Sequence, residues 1–376
     1  MLSKNRFAVS LAFFICGFVY TNWTTRLPRI QDTFLLDNST LGLILLCVAV
    51  GSLCSMPLTG WLIARRGSRF ATVVSLLLFS ASLAVFPYFE SVVALAMGFY
   101  VVGFFTGALD VAMNTQAVAV EQKYTLPMMS SFHAIFSIGM MLGALSGAFF
   151  AKNYPSLVTH FTWVAMGCTL VSALATPFFV EDKPAPSAQS SPAFLWPDKT
   201  MLLLGLIAFC GMVAEGSMAD WSTNYLRHVV QTDEATAPIG LSIFSATMTI
   251  GRLFGDKARS TFGDNRLLFV SAFLATCGLA LGLSWLHYWV FCGGLFLVGL
   301  GLAVIIPIVY SQAGNNSSLP SGVGLAMVTT VGYTGFLAGP PIIGFLADWQ
   351  GLRFAFGFVV FLLVVLTLLS RIKAQN

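Results

Sequence analysis

Asn22-Trp23-Thr24-Thr25 and Asp220-Trp221-Ser222-Thr223 stand 198 residues apart from Trp to Trp, each near the end of a long apolar run. The offset recurs elsewhere. Gly67 and Gly263 are 196 residues apart, and so are Gly139 and Gly335, and Gly143 and Gly339. Identity at these points is low but the register is nearly constant. That pattern is expected of two copies of one structural unit following each other in the same orientation.

The runs that carry this register are long enough to cross a bilayer, for which about twenty apolar residues suffice. Twelve are expected, near 6–26, 41–64, 69–88, 91–118, 128–151, 158–180, 200–226, 237–257, 266–284, 286–311, 321–347 and 352–371. The longest polar interruption, Glu181 to Lys199, carries Pro184, Pro186, Pro192 and Pro197 among serines and alanines. This is a linker composition. It divides the chain into six spans over 1–180, a linker over 181–199 and six spans over 200–376.

Composition agrees. Of 376 residues, 9% are charged and 57% hydrophobic, and the mean hydropathy is +0.84. An ordinary soluble domain carries roughly a quarter charged residues. A soluble chain of this length has too few charges here to build a solvated shell. Disorder, collagen and a disulfide-stapled fold are excluded on the same grounds. The 7 cysteines fall inside apolar stretches with no C-x-x-C spacing, so they signal neither zinc nor a disulfide framework. The first run follows Lys4 and Arg6 as a signal peptide would. It has no small-x-small cleavage site and continues into Asn22–Arg26, so a retained span is expected.

Orientation follows from Lys and Arg. With the N-terminus inside, fourteen of the 19 lie at cytoplasmic ends, Arg252 among them, and Arg26, Arg29, Lys152, Arg227 and Arg353 lie outside. Both termini are then cytoplasmic.

Parallel six-helix repeats about an axis along the membrane normal resemble the major facilitator superfamily. The segment Gly60-Trp-Leu-Ile-Ala64-Arg65-Arg66-Gly67-Ser68-Arg69 is similar to that superfamily's G-x-x-x-D-[RK]-x-G-[RK]-[RK] signature. In it, glycines permit a tight cytoplasmic turn, and basic residues meet helix ends and headgroups. Ala64 replaces the signature's acid, and Asp256 is expected to supply a gate charge from the other half. Gly107-Ala-Leu-Asp110-Val-Ala-Met-Asn114, Ser130-Ser-Phe-His133-Ala-Ile-Phe-Ser137 and Ala214-Glu215-Gly-Ser-Met-Ala-Asp220-Trp221-Ser222 resemble the YbjJ-like bacterial inner-membrane branch. The fucose-permease-like group is a more distant likeness. The resemblance implies an all-α, twelve-helix secondary transporter of the inner membrane, a monomer without cofactor or metal.

Ionisable groups inside spans are costly, so each is a candidate for function. Asp110, Glu215 and Asp220 are the acids so placed. The resembled fold lines its central cavity with spans one, four, seven and ten. Asp110 and Asn114 share a helix face, with Gly103 and Gly107 continuing the stripe and leaving room for a ligand or for a neighbouring helix. His133 and Ser137 on span five fall near the same depth. The group reads either as a proton- or solute-binding cluster or as a clamp between spans. Glu215, about halfway along span seven, reads either as a group that gains and loses a proton as access alternates or as a structural anchor hydrogen-bonded to a facing helix. Asp220 and Arg26 at the outer ends read as a gate pair, the alternatives being a salt bridge within one half, solvated ends, or an anionic solute on Arg26. Tyr20, Trp23, Thr24, Trp221 and Tyr310 either contact a sugar-like solute or anchor span ends at the interface. Glycines 139, 143 and 147 read as a close-packing seam, and Pro307 and Pro340-Pro341 as helix breakers.

No G-x-x-x-x-G-K-[ST], G-x-S-x-G or H-E-x-x-H occurs, and basic residues are dispersed, so neither an enzyme nor a nucleic-acid binder is expected. The expected activity is alternating-access movement of a small polar solute, coupled to protons through Glu215 and Asp110. The alternatives are proton-driven efflux of amphipathic compounds and a non-transporting receptor or assembly subunit of the same fold.

Overall fold

A computed structural model describes residues 4–124, 128–181, 199–314 and 323–372. The expected linker lies almost wholly outside these, as do Lys183 and Lys373.

The first half consists of α1 (Lys4–Thr24), α2 (Leu27–Phe34), α3 (Asn38–Arg66), α4 (Ser68–Ser82), α5 (Val92–Tyr124), α6 (Met129–Asn153) and α7 (Leu157–Ala175). The second consists of α8 (Lys199–Asn224), α9 (Ala237–Phe262), α10 (Asp264–Ser284), α11 (Tyr288–Leu302), α12 (Ile305–Gly314), α13 (Val323–Gln350) and α14 (Leu352–Leu369). No strand occurs among the described residues. Twelve helical stretches among them are long and apolar enough to cross a membrane, with α1–α2 and α11–α12 each counting as one. The fold is all-α and membrane-spanning, as the hydropathy pattern implied. Large apolar side chains such as Met97, Trp163, Met166, Leu170, Phe361 and Leu368 stay exposed on the outer faces, where lipid is their solvent.

Local sequence explains the breaks. Gly67 and Gly263 hold φ of 81° and 75° immediately before α4 and α10, a backbone region that favours glycine. The repeat pair therefore makes the same turn twice. Pro307 cannot donate to the Ala303 carbonyl, and the chain leaves helical geometry at Ala303–Val304, between α11 and α12. Pro340 and Pro341 do not act as expected. They sit inside an unbroken α13.

One close seam recurs in both halves. Helix α6 lies against α1 so closely that a Cβ on Gly139 would overlap the Phe14 carbonyl oxygen, and one on Gly17 the Phe136 oxygen. Helix α13 repeats the contact on α8, where a Cβ on Gly335 would come within 2.7 Å of the Phe209 carbonyl oxygen. The repeat read from the sequence is thus also a repeat of packing.

By contact, the chain divides into Met1–Leu35 with Ile44–Ser191, and Leu36–Leu43 with Pro192–Asn376. The start of α3 thus groups with the second unit, because Asp348 at the end of α13 takes its free amides. Asn38 N–H donates to Oδ1 at 2.9 Å and Ser39 N–H to Oδ2 at 2.7 Å. Asp37 takes the next, from Thr40 N–H at 2.7 Å. Hydrogen bonds from Thr40 hold the Asp37 carboxyl below its ordinary pKa. Its contribution is present above the unfolded carboxylate pKa and is lost as pH falls through the lowered folded value. Asp37→Ala is expected to cost about 0.5–1 kcal/mol near neutral pH and nothing at strongly acidic pH. Amide exchange at Thr40 as a function of pH checks this.

Candidate functional site

In the first unit, α5 carries Asp110 and Asn114 one turn apart. Asn114 Nδ2 donates to the Asp110 carbonyl at 2.8 Å and to its Oδ1 at 3.1 Å. The glycine stripe above Asp110 is not open space. A Cβ on Gly103 would overlap the Val48 carbonyl oxygen, and one on Gly107 would meet the Ser52 oxygen at 2.5 Å. Of the two uses weighed for those glycines, the neighbouring helix α3 takes the room. His133 packs edge-on against Phe13, with centroids 5.3 Å apart, and Ser137 Oγ donates to the His133 carbonyl at 3.2 Å. Among the described residues, the bonds of Asp110 run to its own helix and none to His133.

In the second unit, Glu215 on α8 meets Arg252 on α9, with Nη2 donating to Oε1 at 3.0 Å. Arg252, read as one of the cytoplasmic end charges, lies one turn before the exposed Asp256. It lies ten residues before the end of α9, about 15 Å along the axis. Glu215 lies about 24 Å from the start of α8 at Lys199. Their side chains are 17% and 21% exposed.

Where α1 meets α2, the first unit contains a polar cluster that the sequence reading only half anticipated. Arg26 is fully buried and its Nη2 donates to the Pro155 carbonyl at 2.5 Å, tying the α1–α2 junction to the loop before α7. His160 of α7, not singled out in the sequence, is fully buried. Its Nε2 is 2.7 Å from Asn22 Oδ1, and its ring stacks on Phe150. An ionisable residue within an apolar run was the signal that could have found it. Asp220 is 6% exposed.

The aromatic candidates divide. Trp23 and Trp221 are fully buried, so they serve neither as interfacial anchors nor as solute contacts in this conformation. Trp23 sits edge-on to Phe99 and to Tyr20. Thr24 is likewise buried and donates to the Thr21 carbonyl. Tyr20 and Tyr310 keep partial exposure.

Along the signature loop, Gly67 makes the turn, whereas Gly60 is inside α3 with open space beside it. Arg65 lies over the Trp61 ring at 4.4 Å, and Arg69 reaches Glu181 at 3.2 Å. Asp256 is exposed. In the matching loop of the second unit, Arg259 makes two bonds of 2.9 Å to Asp264.

Twelve apolar helices in two repeated sets make this a polytopic membrane protein. Comparison with known proteins supplies the family. The Major Facilitator Superfamily profile matches residues 9–221. The chain is 33% identical to an uncharacterized MFS-type transporter of Yersinia pestis over 96% of this chain and 94% of that one. It is 31% identical to the membrane protein MosC of Rhizobium meliloti, over 94% and 86% respectively. In fold it is similar to a mutant form of the nucleoside transporter NupG (TM-score 0.78, 13% identity, 96% and 98% covered). It is also similar to a bacterial homolog of the human lysosomal transporter Spinster (TM-score 0.76, 15% identity, 97% and 95% covered). The chain belongs to the major facilitator superfamily.

Proposed function

We propose that the protein moves a small polar solute across the bacterial inner membrane by alternating access, coupled to protons, as a monomer with both termini cytoplasmic. The observation that carries this is the Glu215–Arg252 pair, 3.0 Å apart and joining α8 to α9. A carboxylate that must be neutralised or re-paired as water access changes sides is what proton coupling requires. Asp110, bonded to Asn114 rather than to a cation, is a second group able to hold a proton. In the same reading the exposed Asp256 and the signature loop serve the cytoplasmic gate, and Arg26 and Asp220 the outer one.

The test is reconstitution into liposomes containing a pH-sensitive dye, with a panel of polar solutes added outside. At least one solute is expected to drive proton movement. Glu215→Gln is expected to abolish that movement while leaving solute exchange at zero gradient intact. Solute-driven proton flux that survives in both Glu215→Gln and Asp110→Asn refutes the assignment. Absence of solute flux across the panel favours the non-transporting reading.

A further inference from the structure

Two apolar cavities lie end to end along α4 in the first unit. One, of about 430 Å³, runs from Phe89 past Met97 to Leu78 and Phe105, between α5 and α4 with its 3-10 extension Leu83–Tyr88. The other, of about 230 Å³, begins at the same Leu78 and Phe105 and reaches Leu58 and Trp61 near the end of α3. Together they make one furrow whose rim residues Leu58, Leu78, Met97 and Val101 are exposed. Between Ala71 and Ser82, both in its wall, it follows α4 for about 16 Å. That is close to half of a hydrocarbon core of about 30 Å, the depth of one leaflet.

The walls give a polar ligand nothing to hold. Their hydroxyls belong to Ser75, Ser82 and Thr59, and each donates to a carbonyl of its own helix, those of Ala71, Phe79 and Ser55 respectively. A furrow so lined takes a hydrocarbon chain. Its two ends differ in charge. At the α3 end, Arg65 lies over the ring of Trp61, itself a wall residue, at 4.4 Å, and Arg66 lies over Phe70 at 5.4 Å. Both arginines are exposed, and among the described residues neither forms an ion pair. Glu181 at that end is engaged by Arg69 at 3.2 Å. At the opposite end, Phe89 is followed by the exposed Glu90. A chain lying in the furrow therefore has cations beyond one end and an acid beyond the other.

We propose that this furrow binds one acyl chain of an anionic glycerophospholipid, whose phosphate sits on Arg65 and Arg66. Trp61 joins the two parts of the site. Its ring closes one end of the furrow, and its face carries the Arg65 guanidinium, which leaves the N–H edges of that group for phosphate oxygens. Each basic residue at a span end favours an anionic headgroup by about fivefold. The reverse orientation would set the phosphate against Glu90. Neither Glu215 nor Arg252 takes part, so the site is independent of the transport reading.

The experiment uses the purified full chain in detergent micelles, titrated with dioleoylphosphatidylglycerol or dioleoylphosphatidylcholine, and native mass spectrometry counts the lipid bound. A single phosphatidylglycerol is expected to bind at least about fivefold more tightly than phosphatidylcholine. Arg65→Gln/Arg66→Gln is expected to remove that preference, whereas Arg266→Gln, in the second unit, is expected to leave it. Ala81→Phe, at an exposed position of the furrow wall, is expected to weaken both lipids by about tenfold without changing their ratio. On the wild type, lysophosphatidylglycerol, with its one chain, is expected to displace the bound lipid, and glycerol 3-phosphate at the same concentration is not. That competition stands in should Ala81→Phe fail to fold. Equal binding of the two lipids, or a preference undiminished in Arg65→Gln/Arg66→Gln, overturns the proposal. So does binding unaffected by Ala81→Phe, and displacement by glycerol 3-phosphate would make the site one for free phosphate instead.

Discussion

Replacing Arg252 by methionine, with Glu215 left in place, is expected to lower stability by about 2–4 kcal/mol near neutral pH, and removing Glu215 as well is expected to return at least half of that loss. Breaking a fully buried pair from one side costs about 3–5 kcal/mol, because the remaining charge is stranded. The 17% and 21% exposure of this pair calls for a smaller figure. The two single variants are not expected to behave alike. Glu215 left alone can take up a proton, so the cost of Arg252→Met shrinks as pH falls. Arg252 left alone by Glu215→Gln cannot become neutral, so that cost persists across the pH range. Melting midpoints of the wild type, both single variants and Glu215→Gln/Arg252→Met in one detergent, at several pH values, close the cycle. Losses that simply add, within about 0.5 kcal/mol, mean that the pair is two independent surface charges rather than a coupled unit.

The Glu215–Arg252 pair also shows where reading the sequence stops. Spans were legible because lipid demands long apolar runs and leaves few exceptions. The repeat was legible because packing glycines recur at a fixed offset. The ends of helices were not. The expected end at residue 257 falls five residues short of Phe262, where α9 stops. Helix ends depend on turn glycines and capping groups, here Gly263, which an apolar run does not mark. Partners across helices were equally hidden. Asp110 could be placed on one face with Asn114, but whether His133 faced it depended on helix rotation, which periodicity does not fix. The same limit applied to Trp23 and Trp221. Their position near span ends suggested interfacial anchors, and only packing shows that both are interior. His160 was readable on the rule that identified the acids, and its partner Asn22 lies on another helix.

Gly139→Ala is expected to destabilise the protein by about 3 kcal/mol or more, the upper end of what overpacking costs, whereas Gly60→Ala is expected to stabilise it by about 0.5–1 kcal/mol. Both glycines were singled out from sequence, one as part of a seam and one as part of a conserved-looking loop signature, and both lie within helices. What differs is the neighbour. The Cβ added at Gly139 overlaps the Phe14 carbonyl oxygen and approaches the Phe18 amide nitrogen at 3.1 Å. These are backbone atoms of α1 that cannot rotate away, so α1 and α6 must separate and the close packing along Gly17, Gly139 and Gly143 is lost. At Gly60 nothing lies within 4 Å, so alanine only removes backbone freedom from the unfolded chain and adds helix propensity. Melting midpoints of the two variants decide the sign of each effect. The Gly60 variant carries a further distinction. If its open face receives another helix in a different state of the transport cycle, Gly60→Ala raises the melting midpoint and lowers transport. If transport is unchanged, Gly60 has no part in the gate and the turn belongs to Gly67.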